Sequence, residues 1–225
     1  MDRLNLDIKE GEIFGLVGPD GAGKTTTMRL LTGVLEPTSG DGWIGGKHIV
    51  RESEALKDSI GYMSQRFGLY EDLTVVENIN FFADIYCVPR PERKPRIKRL
   101  LDFSGLDPFQ RRLARDLSGG MKQKLGLACA LIHTPSVLFL DEPTSGVDPV
   151  SRRDFWRILY QLLREKVTII LSTSYLDEAE RCERIGFLHK GRMLKMDVPS
   201  AIKEQCRARS LEEAFIFMIN EYENK

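Results

Sequence analysis

Cysteine is scarce: Cys87, Cys129, Cys182 and Cys206 lie far apart among 225 residues, and no two form a C-x-x-C pair. They read as reduced thiols, with Cys129 in an apolar helical run where a small core residue belongs. Long apolar runs are also missing. None approaches the roughly 20 residues of a membrane-spanning helix, and Met1-Asp2-Arg3 followed by alternation is not a signal peptide. A cytoplasmic character is expected, with any membrane role coming through a partner. There is no excess of positive charge, because 33 lysines and arginines balance 33 aspartates and glutamates. A protein that lives on nucleic acid usually shows such an excess, so no nucleic-acid partner is expected. Internal repeats and low-complexity tracts are absent too. What remains is an ordinary soluble composition, 29% charged and 42% apolar, long enough for one large domain or a core with a subdomain.

Against that plain background one stretch stands out. Gly18-Pro19-Asp20-Gly21-Ala22-Gly23-Lys24-Thr25 fits G-x-x-x-x-G-K-[ST], the phosphate-binding P-loop. It follows the strand-like run Ile13-Phe14-Gly15-Leu16-Val17 and precedes Thr26-Thr27-Met28-Arg29-Leu30-Leu31, which reads as a helix start. A glycine-rich backbone turns its N–H groups around phosphate oxygens, and the helix N-terminus adds its positive dipole end. Lys24 is expected to reach the β- and γ-phosphates and the Thr25 hydroxyl to ligate Mg²⁺, with Thr26 beside them. The chain is therefore expected to bind a nucleoside triphosphate.

The rest of the pattern is α/β. Leu4 to Ile8 alternates as a half-buried strand. Trp43-Ile44 and His48-Ile49-Val50, separated by Gly45-Gly46-Lys47, suggest a hairpin. Ile60 to Gln65 is a short strand. From about residue 73 to 133 the spacing of Val75, Val76, Ile79, Phe82 and Ala83 is helical, interrupted at Arg90 to Arg96, where prolines and positive charge suggest a solvated loop and helix start. Val137-Leu138-Phe139-Leu140 and Val167-Thr168-Ile169-Ile170-Leu171 are continuous apolar runs, as in central parallel strands, with a crossover helix from Phe155 to Arg164. The expected organisation is a P-loop NTPase core with a mainly parallel sheet (about 1–72 and 134–225), a small antiparallel region and a helical subdomain (about 73–133).

Two further constellations carry chemistry. The strand Val137 to Leu140 ends on Asp141-Glu142, which puts Asp141 beside the P-loop as a Mg²⁺ holder and Glu142 one residue on, in a general-base position. Leu117-Ser118-Gly119-Gly120-Met121 opens another helix, whose exposed N–H groups make a second anion site. One chain needs only one P-loop, so this second site suggests a nucleotide held between two chains.

In order and spacing, the P-loop, Gln65, Leu117–Met121, Val137–Glu142 and Ser145-Gly146-Val147-Asp148 resemble the nucleotide-binding domain of an ATP-binding-cassette (ABC) transporter over nearly the whole chain. Gly-Ala-Gly-Lys-Thr-Thr-Thr, Ser-Gly-Gly-Met and Tyr175-Leu176-Asp177-Glu178-Ala179-Glu180 are similar to the bacterial drug and multidrug export branch, with separate permease subunits. The resemblance implies ATP and Mg²⁺, and two cassettes packed head to tail. Each ATP then lies between the P-loop of one and the Ser118-Gly119-Gly120 segment of the other. It also implies a transmembrane permease on the cytoplasmic face of the inner membrane. Gln65 would link the γ-phosphate site and metal to the helical subdomain, and Asp148 would belong to the loop crossing the dimer interface. Phe67, Leu69 and Tyr70 are candidates for the groove that receives a permease coupling helix.

Three positions depart from the family pattern. Met121 stands where glutamine is usual, as is frequent in the export branch. The upstream aromatic that stacks on adenine is not in this sequence. Ser174 occupies the place of the switch histidine that contacts the γ-phosphate. A serine neither reaches as far nor carries positive charge, so a slow, degenerate site is one expectation. The cassette would then complete the competent site of another cassette, a homodimer or heterodimer partner or the second half of the same polypeptide. An ATP-binding regulatory half is the related alternative. A soluble ABC ATPase of DNA repair would need a long coiled coil between P-loop and signature. Fewer than a hundred residues separate Lys24 from Ser118, with no heptad run. A translation factor would be more basic and carry both cassettes.

Overall fold

The computed structural model describes residues 4–65 and 68–223. Its centre is β1 (Ile13–Val17), buried at all five positions. β1 feeds the glycine-rich loop and α1 (Lys24–Leu31). A two-residue hairpin follows, β2 (Trp43–Ile44) against β3 (Lys47–His48), then α2 (Ser53–Lys57) and β4 (Ile60–Met63). Next come three helices, α3 (Val75–Ile85), α4 (Arg90–Ser104) and α5 (Gly119–Leu131), which pack on one another. β5 (Val137–Asp141), α6 (Pro149–Arg164) and β6 (Thr168–Thr173) return the chain to the sheet. The last part is α7 (Leu176–Ala179), β7 (Arg184–His189), β8 (Arg192–Asp197), α8 (Pro199–Gln205) and α9 (Leu211–Glu223).

The main sheet runs β4-β5-β6-β1-β7-β8, parallel except for the antiparallel edge strand β8. Its central strands β1, β5 and β6 are buried at every position because both faces are covered. Ile13 and Val17 of β1, Leu138 and Leu140 of β5, and Ile169 and Leu171 of β6 enter one core with α3 to α6. Phe14 and Leu16, Val137 and Phe139, and Ile170 point the other way, onto Met28 of α1 and Leu56 of α2. The register sets Ser172 opposite both Leu16 of β1 and Asp141 of β5, so the carboxyl ends of three neighbouring strands come level. In an open parallel sheet that edge is where ligands bind.

Several local expectations change. Leu4, Leu6 and Ile8 alternate with exposed Asn5 and Asp7 in burial, yet the segment forms no β-ladder among the described residues. Packing of Leu6 and Ile8 onto the second core satisfies the alternation without a paired neighbour, because β2 and β3 pair with each other. The hairpin strand begins at Lys47 and ends at His48, leaving Ile49 and Val50 in a turn. Arg90 to Arg96 is helix throughout. Pro89 and Pro91 fall at the N-cap and second positions, where no helical N–H is needed, and Pro95 costs one bond that burial of Ile97, Leu100 and Leu101 offsets. α6 starts six residues before Phe155, because Asp148 caps it by accepting from the N–H groups of Val150 and Ser151 (3.0 and 2.9 Å) and Pro149 follows.

Just past α5, the His133 ring stacks on Tyr86 with centroids 3.7 Å apart. Its Nε2–H donates to the Ile60 carbonyl at 2.9 Å. Burial holds its pKa below the usual value. The unfolded chain therefore takes up this proton first as pH falls, and the stability tied to neutral His133 is lost below about pH 6.5. Thermal melts should show Tm dropping from pH 6.5 downward, with a shallower slope in His133→Phe, which keeps the stack and cannot titrate. Equal slopes would assign the loss to other groups.

Candidate functional site

The loop after β1 is braced from three sides. The Gly18 N–H donates to Thr173 O at 3.3 Å, the Ala22 N–H to Pro19 O at 3.1 Å, and the Gly191 N–H to Ala22 O at 2.9 Å. A Cβ on Gly18 would stand 2.3 Å from the Leu188 carbonyl oxygen, so only glycine lets the loop lie against β7. Gly21 and Gly23 have φ of 76° and 105°. Gly23 is the N-cap of α1 and offers no side-chain cap, so the first N–H groups of the helix are left for a ligand to satisfy. Pro19, Asp20 and Thr26 lie at the exposed rim.

Lys24 is buried, 4% exposed, with its ammonium donating to the carbonyls of Gly18 (2.7 Å) and Pro19 (3.1 Å). It also pairs with Glu142 Oε1 at 3.1 Å. Thr25 Oγ1 donates to Asp141 Oδ1 at 3.1 Å, and Ser172 Oγ donates to the same oxygen at 2.6 Å. Tyr62 OH donates to Asp141 Oδ2 at 3.4 Å, and burial together with the Asp141 charge pushes the Tyr62 pKa up to about 12. Glu142 sits in the left-handed region, φ 48°, held there by its N–H donating to Ser172 Oγ and O (3.0 and 3.2 Å). Gln65 Nε2 donates to its Oε2 at 2.9 Å. Lys24, Thr25, Gln65, Asp141 and Glu142 thus form one connected cluster at the carboxyl edge of the sheet.

The donor set suits Mg²⁺. Thr25 offers a hydroxyl and Asp141 a carboxylate, already in contact, and Mg²⁺ is typically held by one or two carboxylates with substrate phosphates supplying the rest. No cluster of three His, Cys, Asp or Glu side chains fit to cage a metal exists among the described residues.

Other candidates stand apart from this cluster. Ser118 and Gly119 are exposed at the start of α5, where Ser118 Oγ accepts from the Met121 N–H at 3.3 Å. No side-chain bond joins them to the P-loop among the described residues. Gly120 is buried, and a Cβ there would meet Ser151 Oγ at 2.4 Å, so α5 rests directly on the first turn of α6. Ser174 is exposed just past β6. Leu69 packs on the main core and Tyr70 is exposed beside Phe81, while Phe67 lies outside the described residues.

Two groups escaped the sequence reading. Ser172 extends the strand beyond Leu171, and its hydroxyl serves both Asp141 and Glu142. Its signal was position: a small hydroxyl residue at the carboxyl end of an apolar strand. Glu178 is 1% exposed and accepts from Thr173 Oγ1 (2.7 Å), Thr144 Oγ1 and Trp156 Nε1 (3.5 Å). It ties the end of β6 to the loop after Glu142 and to α6. The pattern Tyr175–Glu180 contained it but gave no hint that it is buried.

A family model described as ABC transporter matches residues 1–145. The chain belongs to the ABC transporter family. The cassette is 51% identical over 207 residues to the probable multidrug ABC transporter ATP-binding protein YbhF of Escherichia coli, covering 92% of this chain and 36% of that protein. It is 38% identical over 203 residues to the Nod factor export ATP-binding protein I of Paraburkholderia xenovorans, covering 90% of this chain and 67% of that one. The cassette thus spans about a third of YbhF. Among solved structures, an ATP-binding subunit of an ABC transporter superposes with a TM-score of 0.84 at 30% identity, covering 95% and 90% of the two chains. The cassette MJ0796, a dimer in a post-hydrolysis state with ADP and Pi, superposes with a TM-score of 0.78 at 28% identity, covering 87% and 88%. The cassette's fold and family are those of ATP-binding domains, in a mainly parallel α/β sheet of the P-loop type.

Proposed function

We propose that this cassette binds and hydrolyses ATP to drive a membrane exporter, working as one of two cassettes against a transmembrane permease. The observation that carries it is the Lys24–Glu142–Gln65 and Thr25–Asp141–Ser172 network at one sheet edge. Gly18 to Thr26 surround the phosphates, with Lys24 transferring from Glu142 to the β- and γ-phosphates. Thr25 and Asp141, with Gln65 nearby, would hold Mg²⁺, which neutralises phosphate charge when bound. Glu142, released by Lys24, accepts the proton of the attacking water, and Gln65 keeps its carboxylate aimed. Ser118, Gly119 and Gly120 present the start of α5 to the nucleotide of the opposing cassette, with Asp148 close to that interface. The dimeric MJ0796 supports the pairing, and the names of YbhF and the Nod factor exporter support export. A cavity of about 210 Å³ lined by Met63, Leu69, Phe82 and Tyr86 supports a coupling groove beside Gln65. The cassette works at the cytoplasmic face of the inner membrane, as a peripheral subunit. No described helix is long and apolar enough to cross a membrane.

Ser174 favours a second reading, in which this nucleotide site turns over slowly and the cassette chiefly completes a partner's site. Its hydroxyl is exposed and makes no hydrogen bond among the described residues. Steady-state Mg-ATPase measurements on the parent and Ser174→His test it, with Glu142→Gln as the blank. One added charged donor at the γ-phosphate should raise turnover roughly a hundredfold. Equal and substantial rates would make Ser174 a tolerated switch and the site competent. Parent and Ser174→His rates both at the blank level would overturn hydrolysis by this cassette alone.

A further inference from the structure

The basic stretch that opens α4 takes no part in the nucleotide site. Arg90, Lys94 and Lys98 are spaced i, i+4, i+8, so they share one helix face, and all three are exposed. The other cations of α4 are neutralised: Arg93 by Asp84, Arg96 by Glu92 and Arg99 by Glu165. Arg90, Lys94 and Lys98 have no ion-pair or hydrogen-bond partner among the described residues. With Arg93 they line an open groove of about 670 Å³ between α3, α4 and the 3₁₀ turn Asp107–Phe109. Ile97 and Leu101, 8% and 2% exposed, form an apolar floor. Among the described residues Asp107 is the only carboxylate in the lining, and Gln110 Nε2 donates to it at 3.1 Å.

We propose that this groove binds the phosphate headgroups of anionic phospholipids. Three unneutralised cations in a row attract a layer of phosphates, and the apolar floor beside them suits the glycerol and upper acyl carbons of a lipid. A nucleic-acid backbone offers no such apolar partner, and the chain as a whole carries no positive excess. The lipid as source rests on the exporter reading, which brings the cassette to a membrane. Each cation near an anionic lipid surface strengthens partitioning about fivefold, and the attraction fades as salt shortens the Debye length.

The test is co-sedimentation of the purified chain with vesicles, without ATP. Binding is expected to vesicles of phosphatidylglycerol in phosphatidylcholine at low salt, and not to phosphatidylcholine alone. Lys94→Gln/Lys98→Gln should partition about thirtyfold less. Lys57→Gln/Lys203→Gln removes the same charge from α2 and α8 and should stay near the parent. Equal losses in the two double variants would overturn the groove in favour of diffuse attraction. Groove-dependent thermal stabilisation by inorganic phosphate without vesicle binding would reassign it to a soluble phosphate. Groove-dependent binding of single-stranded RNA without vesicle binding would reassign it to nucleic acid. ATP turnover of the same variants is read separately, so failure of the exporter reading and failure of lipid binding are distinguishable.

Discussion

Glu142→Gln leaves nucleotide binding intact and lowers steady-state ATP turnover by about 10²–10⁴-fold, the usual contribution of a positioned general base. The substitution keeps the shape of the side chain and an oxygen able to accept from Gln65 Nε2. What it removes is the basic oxygen and the negative charge paired with Lys24 at 3.1 Å. Lys24 retains the carbonyls of Gly18 and Pro19 and is freer to grip phosphate, so the Kd of a fluorescent ATP analogue should stay within a fewfold of the parent or tighten. Turnover and Kd measured on the same preparation decide it. A fall of less than tenfold in turnover would mean that another group takes the proton, and a large rise in Kd would make Glu142 a binding residue instead.

Replacing Glu178 by alanine should be the most damaging single change away from the nucleotide. The carboxylate is fully buried and holds the hydroxyls of Thr144 and Thr173 and the Trp156 indole. Arg152 Nε, itself without a hydrogen bond, lies 3.9 Å away. Deleting one partner of such a network strands the others in a low-dielectric interior, at about 3–5 kcal/mol. For a chain of this size that corresponds to a fall in Tm of roughly 6–20 °C. Glu178→Gln should lose less, because its carbonyl still accepts from Thr173. A drop below about 3 °C for Glu178→Ala would show that water or rearrangement replaces the network. Because Thr173 precedes Ser174 and Thr144 follows Glu142, turnover measured well below the lowered Tm should fall as well.

The site was legible where chemistry needs a fixed local spacing. Eight consecutive positions define the phosphate loop, and an apolar strand running into Asp141-Glu142 announces its own endpoint. The sheet was legible for the same reason, since two-sided burial leaves continuous apolar runs such as Val137 to Leu140. What could not be read were choices made by neighbours. Leu4 to Ile8 alternates correctly but lacks a ladder, because alternation records burial and says nothing of who pairs. Arg90 to Arg96 is helical despite its prolines, because two of them fall where a helix start tolerates them and the buried face of α4 outweighs the third. Asp148-Pro149 did carry a helix-start signal, a capping carboxylate before proline, that would have moved α6 to its true beginning. Ser172 matters through Asp141, set beside it by strand register, and Glu178 through Thr144 and Trp156 as well as nearby Thr173, which only the folded packing gathers around it.

The left-handed backbone at Glu142 has an outcome for anyone who selects variants of this chain by heat resistance. A non-glycine residue at φ 48° carries strain of about 1–3 kcal/mol, and glycine at the same position would relieve it. At position 142 a screen for hardiness alone weighs that relief against the carboxylate's pairing with buried Lys24 and its bond from Gln65, and is blind to the proton it accepts. Selection that demands turnover must keep the strained carboxylate and look elsewhere for its stability, so the tension at this one residue sets the two kinds of selection at odds.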